Sequence, residues 1–260
     1  MSDTKTENNP VKVNIDGAIA HVILSRPEKR NAFDDDTIRA LENFFSAPPK
    51  GVRVAILSGE GEHFSAGLDL SGLVLRNSEE VMHHSRWSHK VMDAIQFGGL
   101  PVISVLKGAV MGGGLEIASA THVRIAEPST IFQLPEGQRG IFVGAGASVR
   151  VGRILGPDRM VEMMLTQRRY NAEEGLNLGL AHYACDEGKG MEMAEELAAK
   201  IASNASLINQ IIIQSLSRIS DMSRSDGLFT ESLCAALTQT SPDAEEGIRA
   251  FLEKREPRFR

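Results

Sequence analysis

Gly112-Gly113-Gly114-Leu115-Glu116, running on into Ile117-Ala118-Ser119-Ala120, decides how the rest of the chain is read. The β-branched run Val102 to Leu106 upstream reads as a strand, so the glycines occupy a strand-to-helix junction. Lacking Cβ atoms, they let the backbone approach a ligand closely and leave peptide N–H groups accessible. A helix starting here adds further N–H groups and a dipole suited to developing negative charge. Three glycines alone describe a tight turn equally well. Glu116 changes the weighing, because a carboxylate among apolar neighbours is opposed by desolvation and acids are seldom buried without a reason. A first-turn glutamate pointing to solvent is the competing local reading.

Outward from this stretch, two segments offer complementary chemistry. Phe64-Ser65-Ala66-Gly67-Leu68-Asp69-Leu70 follows the strand-like run Val52 to Leu57 and suits a turn that admits a ligand. It supplies a second backbone donor, which an oxyanion hole requires. Downstream, Pro135 and Gly137 fix a bend around Glu136 in Gln133-Leu134-Pro135-Glu136-Gly137-Gln138-Arg139-Gly140, so that carboxylate can be aimed. Read alone, Glu136 is also a surface glutamate paired with Arg139. Gly144-Ala145-Gly146 lacks the spacing of a dinucleotide fingerprint and the lysine-hydroxyl ending of a P-loop.

Strands and helices alternate over the first two-thirds. Val11 to Ile15 and Ala18 to Leu24 form a hairpin about Asp16-Gly17, and the acids 34–36 open a helix that Pro48-Pro49 stops. A second helix runs from near Ser78 to Gly98-Gly99. This order favours βαβ construction with a largely parallel sheet. After Asn171 the pattern becomes helical, over 192–202, 207–219, 227–237 and 243–253. The chain therefore divides into an α/β core, 1–184, and a helical region, 185–260.

With 260 residues the chain can bury a substantial core. A formal charge of −6 disfavours a nucleic-acid backbone as the main ligand, though it leaves room for a local basic pocket. Cys185 and Cys234 form no paired motif and suit a reducing cytosol. The polar start, Met1 to Pro10, has no apolar core for export, and no apolar run is long enough to span a bilayer. A soluble, cytoplasmic protein is the expectation. His83, His84 and His89 have no metal-site spacing, no HExxH motif is present, and no metal is expected. Trp87 and Met92 read as packing residues.

In their order and separation, Ser65-Ala66-Gly67-Leu68-Asp69-Leu70, Gly112-Gly113-Gly114-Leu115-Glu116 and Pro135-Glu136 resemble the crotonase superfamily. The resemblance extends from Arg26-Pro27-Glu28-Lys29-Arg30-Asn31-Ala32 to Ala250-Phe251-Leu252-Glu253-Lys254-Arg255. It implies ββα units forming two roughly perpendicular sheets, with C-terminal helices assembling homotrimers or homohexamers. It implies an oxyanion hole from the N–H groups of Leu68 and Gly113, and two acids, Glu116 and Glu136, that hydrate an α,β-unsaturated acyl-CoA. Acyl-CoA contacts would come from Arg30, Ala66, Gly67, Leu68, Asp69, Leu70, Gly113 and Lys254, with Arg30 and Lys254 toward phosphates. Coenzyme A enters as part of the substrate, with no separate cofactor. Within the superfamily, Leu134 to Gly144 is similar to the bacterial hydratases of 3-methylthioacryloyl-CoA, and Val143 stands where common hydratases have proline. Isomerisation or thioester hydrolysis by a relative, and acyl-CoA or RNA binding without catalysis, are the alternatives.

Overall fold

The computed structural model describes residues 9–72 and 77–259. Most of the amino-terminal stretch read as lacking an export signal, residues 1–8, lies outside them.

β1 (Val11–Asp16) and β2 (Ile19–Leu24) pair antiparallel. Because Asp16 pairs with Ile19, the two-residue turn is Gly17-Ala18, one position later than the sequence suggests, with Gly17 at φ 56°. Asp34 then caps α1 (Asp35–Ser46) by accepting from the Thr37 N–H at 2.9 Å. This cap satisfies an N–H that the first helical turn would leave unpaired. Ile38, Leu41, Phe44 and Phe45 lie on one face of α1 and are buried.

β3 (Val54–Gly59) is buried along its whole length, as expected of a parallel strand covered on both faces. α2 (Ser78–Phe97) begins with a capping box in which Asn77 and Glu80 satisfy each other's backbone N–H groups. Next come β4 (Val102–Leu106), β5 (Ala109–Met111), α3 (Gly113–Ala120), β6 (Val123–Ala126) and β7 (Ile131–Gln133). Beyond them lie α4 (Ala147–Leu155), α5 (Pro157–Thr166), β8 (Tyr170–Asn171), α6 (Ala172–Asn177) and β9 (Tyr183–Ala184).

The strands form two sheets, β1-β2-β3-β4-β6-β9 and β5-β7-β8. The larger is parallel except for the first hairpin, and in the smaller only β8 runs antiparallel. Its main core, which includes Phe45, Leu57, Phe64, Leu106, Leu115 and Ile117, lies on the side of α1, α2 and α3. A second cluster joins Val54, Ile56, Ile103, Val105 and Ile125 to Ala194 and Ala198 of α7 (Gly190–Ser203). α7 thus covers the other face of the main sheet. α8 (Ser206–Ile219) lies against α2 and α9 (Arg224–Gln239), and α10 (Pro242–Glu253) packs on α9. Among the described residues, no helix is long and apolar enough to cross a membrane.

Candidate active site

The oxyanion-hole candidates are brought together by backbone rather than side chains. Phe33 N–H donates to Gly67 O and Asp69 N–H donates to Phe33 O, both at 2.7 Å. In such a parallel bridge the residues flanking Leu68 carry the bonds, so the Leu68 N–H faces away from Phe33. On the other side, Ser65 N–H donates to Ala109 O at 2.8 Å and Met111 N–H to Ser65 O at 3.1 Å, which holds the loop against β5. A Cβ added to Gly113 would lie 3.5 Å from Leu68 N, and one added to Gly67 only 2.9 Å from Gly113 N. The two amides are neighbours because both partners are glycine-lined. Gly113 opens α3, so its N–H has no acceptor within that helix.

Glu116 and Glu136 flank this point. Glu116 is 5% exposed, and its Oε1 accepts from Ala145 N–H at 2.7 Å and Ala147 N–H at 3.1 Å. Burial raises its pKa, opposed by those two N–H donors and by the nearby charges of His89 and Arg150. Glu136 is 6% exposed, at the start of a short 3-10 turn, and its Oε2 is buried without a hydrogen-bond partner among the described residues. Its pKa is pushed up to about 7, first by burial and further by the charge of Glu116. The two carboxyls therefore sense each other. A solvent-facing Glu116 and a surface Glu136–Arg139 pair are both excluded by this burial. Two surface cavities, of about 590 Å³ beside Cys185 and Met193 and about 740 Å³ between Ile208, Ile248 and Phe259, include neither glutamate.

Candidate coenzyme A contacts are spread more widely. Ala66 N–H donates to Arg30 O at 2.9 Å, so Arg30 adjoins the loop through its backbone while its side chain is exposed. The Asp69 carboxylate is occupied internally by Ser71 N–H and Oγ–H and by Arg26, which hold its pKa down at about 2. Leu68 and Leu70 present more than a third of their surface to solvent. Lys254 caps the far end of α10 in a left-handed conformation, φ 54°, and α10 packs on α9. Lys254 follows α10, whereas Glu116 lies on α3 and Glu136 on the 3-10 turn after β7.

The residue that organises the loop is one that sequence reasoning passed over. Asn31, 2% exposed and at φ 54°, accepts from Arg26 N–H at 2.9 Å through Oδ1. Its Nδ2 donates to Glu60 O at 3.0 Å and His63 O at 2.7 Å, and its carbonyl accepts from Ser65 Oγ–H at 2.8 Å. One buried amide thus ties 26–31 to 60–65. Its place in Arg30-Asn31-Ala32 was visible, but a left-handed asparagine carries no marker until the turn is seen. The Ala145 and Ala147 amides are equally silent in sequence. The histidines 83, 84 and 89 lie on α2, where His84 meets Asp35 at 2.9 Å and stacks edge-on to Trp87.

Two buried acids of unequal surroundings beside a pair of adjacent, glycine-lined amides define a site for stabilising a developing oxyanion while moving protons. The family described as enoyl-CoA hydratase/isomerase matches residues 14–260. A probable enoyl-CoA hydratase of Bacillus subtilis is 32% identical over 256 residues, covering 97% of this chain and 99% of its own. A short-chain-enoyl-CoA hydratase of Clostridium acetobutylicum is 30% identical, covering 96% and 97%. A provisionally named enoyl-CoA hydratase of Rhodopseudomonas palustris superposes with a TM-score of 0.93 at 44% identity, covering 95% and 96%. The chain belongs to the enoyl-CoA hydratase/isomerase family, within the crotonase superfamily. It is an enoyl-CoA hydratase-type lyase whose general reaction is hydration of enoyl-CoA thioesters.

Proposed function

We propose that Glu116 orients and activates the water that attacks Cβ, while Glu136 delivers the proton to Cα. The thioester oxygen would lie against the N–H groups of Leu68 and Gly113, where enolate charge develops. Water oxygen bonds to Cβ, the alkene electrons move toward the carbonyl, and the enolate collapses as Cα takes a proton. Nothing is oxidised or reduced overall, so the step balances without a separate cofactor. The observation that carries this division is the unequal hydrogen bonding of the pair. Glu116 is fixed as an acceptor by two N–H groups, whereas Glu136 has a buried, unpartnered oxygen and a pKa of about 7. A general acid works best with a pKa near the operating pH. Glu116→Gln and Glu136→Gln variants that fold normally and still hydrate crotonyl-CoA at near wild-type rate would refute the paired-acid reading.

The acyl group best supported by the run Leu134 to Gly144 is 3-methylthioacryloyl. Water at its Cβ gives a hemithioacetal that expels methanethiol, and a second water cleaves the thioester to coenzyme A. The remaining β-aldehyde acid loses carbon dioxide to leave acetaldehyde. Mass spectrometry of the products checks this: hydration of crotonyl-CoA with the methylthio compound untouched would confine the enzyme to plain hydration. A shifted double bond, or free coenzyme A without hydrated product, would instead favour an isomerase or hydrolase. The apolar side chains that α9 and α10 leave exposed, among them Phe229, Leu233, Phe251 and Leu252, support a homotrimer or homohexamer. Light scattering on the purified chain measures the assembly.

A further inference from the structure

Gly144-Ala145-Gly146, which matches no phosphate-binding pattern, carries one of the amides that hold Glu116 and leads into the other, Ala147 at the start of α4, and something must fix that loop. α2 supplies it. Ser85, Asp93 and Gln96 lie at helical spacing along one face of α2 and point toward the loop and α4. Ser85 Oγ–H donates to Gly144 O at 2.6 Å. Arg150 of α4 donates through Nε to Gln96 Oε1 at 2.7 Å and through Nη2 to Asp93 Oδ1 at 2.5 Å. Its Nη1 donates to Ala145 O at 3.3 Å. Gly146 passes so close that a Cβ there would lie 2.1 Å from Arg150 Nη1, and its φ of 111° already favours glycine. The Gly144 carbonyl is thus gripped from α2 and the Ala145 carbonyl by Arg150 of α4, which α2 braces, while the Ala145 and Ala147 amides grip Glu116.

We propose that Arg150, braced by Asp93 and Gln96 and assisted by Ser85, is a positioning residue that holds the Ala145 and Ala147 N–H groups on Glu116 Oε1. It touches no reacting atom. The guanidinium bonds an amide, a carboxylate and a carbonyl from three nitrogens fixed in one plane, a geometry that lysine's single nitrogen does not offer. Gly144 O, held by Ser85, shares its peptide plane with Ala145 N–H. Ala145 O, held by Arg150, belongs to the plane between the Ala145 and Ala147 donors, so releasing it loosens the aim of both at Glu116. Its positive charge also favours the ionised state of Glu116, the state that can accept a proton from water.

This inference rests on Glu116 acting in hydration, and the test separates the two. Steady-state hydration of crotonyl-CoA is measured for Arg150→Ala, Arg150→Lys and Ser85→Ala in the wild-type and Glu116→Gln backgrounds. Arg150→Ala should lower kcat at least tenfold with KM within about twofold, Arg150→Lys should restore only part, and Ser85→Ala should show a smaller fall. In the Glu116→Gln background, Arg150→Ala should produce little additional loss, because both changes remove one function. If Glu116→Gln alone leaves kcat intact, the paired-acid reading fails. If Glu116→Gln is damaging but Arg150→Ala is harmless, or if the two losses multiply, the positioning role is overturned and Arg150 is only structural. Should Arg150→Ala fail to fold, Asp93→Asn, at an exposed carboxylate, carries the same comparison.

Discussion

The surroundings of Glu116 and Glu136 differ more than their burial. Glu116 projects from the first turn of α3 into a loop that offers two N–H donors, with His89 and Arg150 behind them. Glu136 sits on a single 3-10 turn, against Gly112, with an oxygen that finds no donor among the described residues. Burial raises the pKa of both side chains, but what opposes or adds to that rise differs between them. At Glu116 the two N–H donors and the charges of His89 and Arg150 oppose the rise that burial causes. Desolvation plus a neighbouring negative charge favours the acid at Glu136. Such unequal surroundings suit one carboxyl to hold a water and the other to donate a proton near neutral pH.

The most damaging way to break this comparison is to make either member unable to exchange a proton. Glu116→Gln and Glu136→Gln should each slow hydration by about 10² to 10⁴, the range for a positioned acid or base. The two should differ in what survives. Exchange of the product's Cα proton with deuterated solvent should be lost most completely in Glu136→Gln, as followed by NMR. Equal exchange in both variants would erase the distinction between water activator and proton donor.

A smaller effect, but a signed one, concerns pH. The folded-state pKa of Glu136 lies at about 7, above the ordinary 4.5. Between those values the folded chain holds a proton that the unfolded chain releases, so this contribution to stability is intact below the unfolded pKa and is lost as pH rises through 7. The full loss amounts to up to about 3 kcal/mol. Glu136→Gln has no proton to lose. Its melting temperature should therefore gain on that of the wild type between pH 5 and pH 8.5, as scanned by calorimetry. Hydration by the wild type should fall over the same upper range as the donor empties. A melting difference that stays flat with pH would mean Glu136 is ionised throughout.

How much of this was legible depends on the length of the signal. α2 could be read from Ser78 onward because Val81, Trp87, Val91, Met92 and Ile95 recur at helical spacing and Gly98-Gly99 suits a stop, and β4 because Val102, Ile103, Val105 and Leu106 make a short β-branched apolar run. The fold class and the family could be read from three ordered motifs. The smaller sheet could not, since β5 and β7 have three residues each and β8 has two, shorter than any periodicity needs. α4, α5 and α6 also went unread. β1 alternates in sequence, yet Val13 and Ile15 are exposed because it is an edge strand whose inward face ends at Val11. Within the site, both glutamates and the two amides were visible as residues. The Ala145 and Ala147 amides are backbone donors, the same in every sequence, and Asn31 and Arg150 act on backbone carbonyls and amides whose positions only the fold reveals.

The finest probe of the comparison works through Gly112 and leaves both acids in place. Gly112 stands at φ 50° and ψ −122°, where a side chain is strained, and an added Cβ would lie 2.7 Å from Glu136 Oε1. The obstructing atom is the end of a side chain rather than backbone, so the Glu136 carboxyl can turn away at modest cost. Gly112→Ala should therefore move the proton donor. On this geometry kcat should fall about tenfold, equivalent to about 1.4 kcal/mol. In the Glu136→Gln background the same substitution should cost little more, because the group it displaces has already lost its function. A multiplicative loss there would instead place the damage at the neighbouring Gly113 amide, on the oxyanion side of the site. The measurement thus decides whether Gly112 is glycine for the sake of Glu136 or for the sake of the anion pocket.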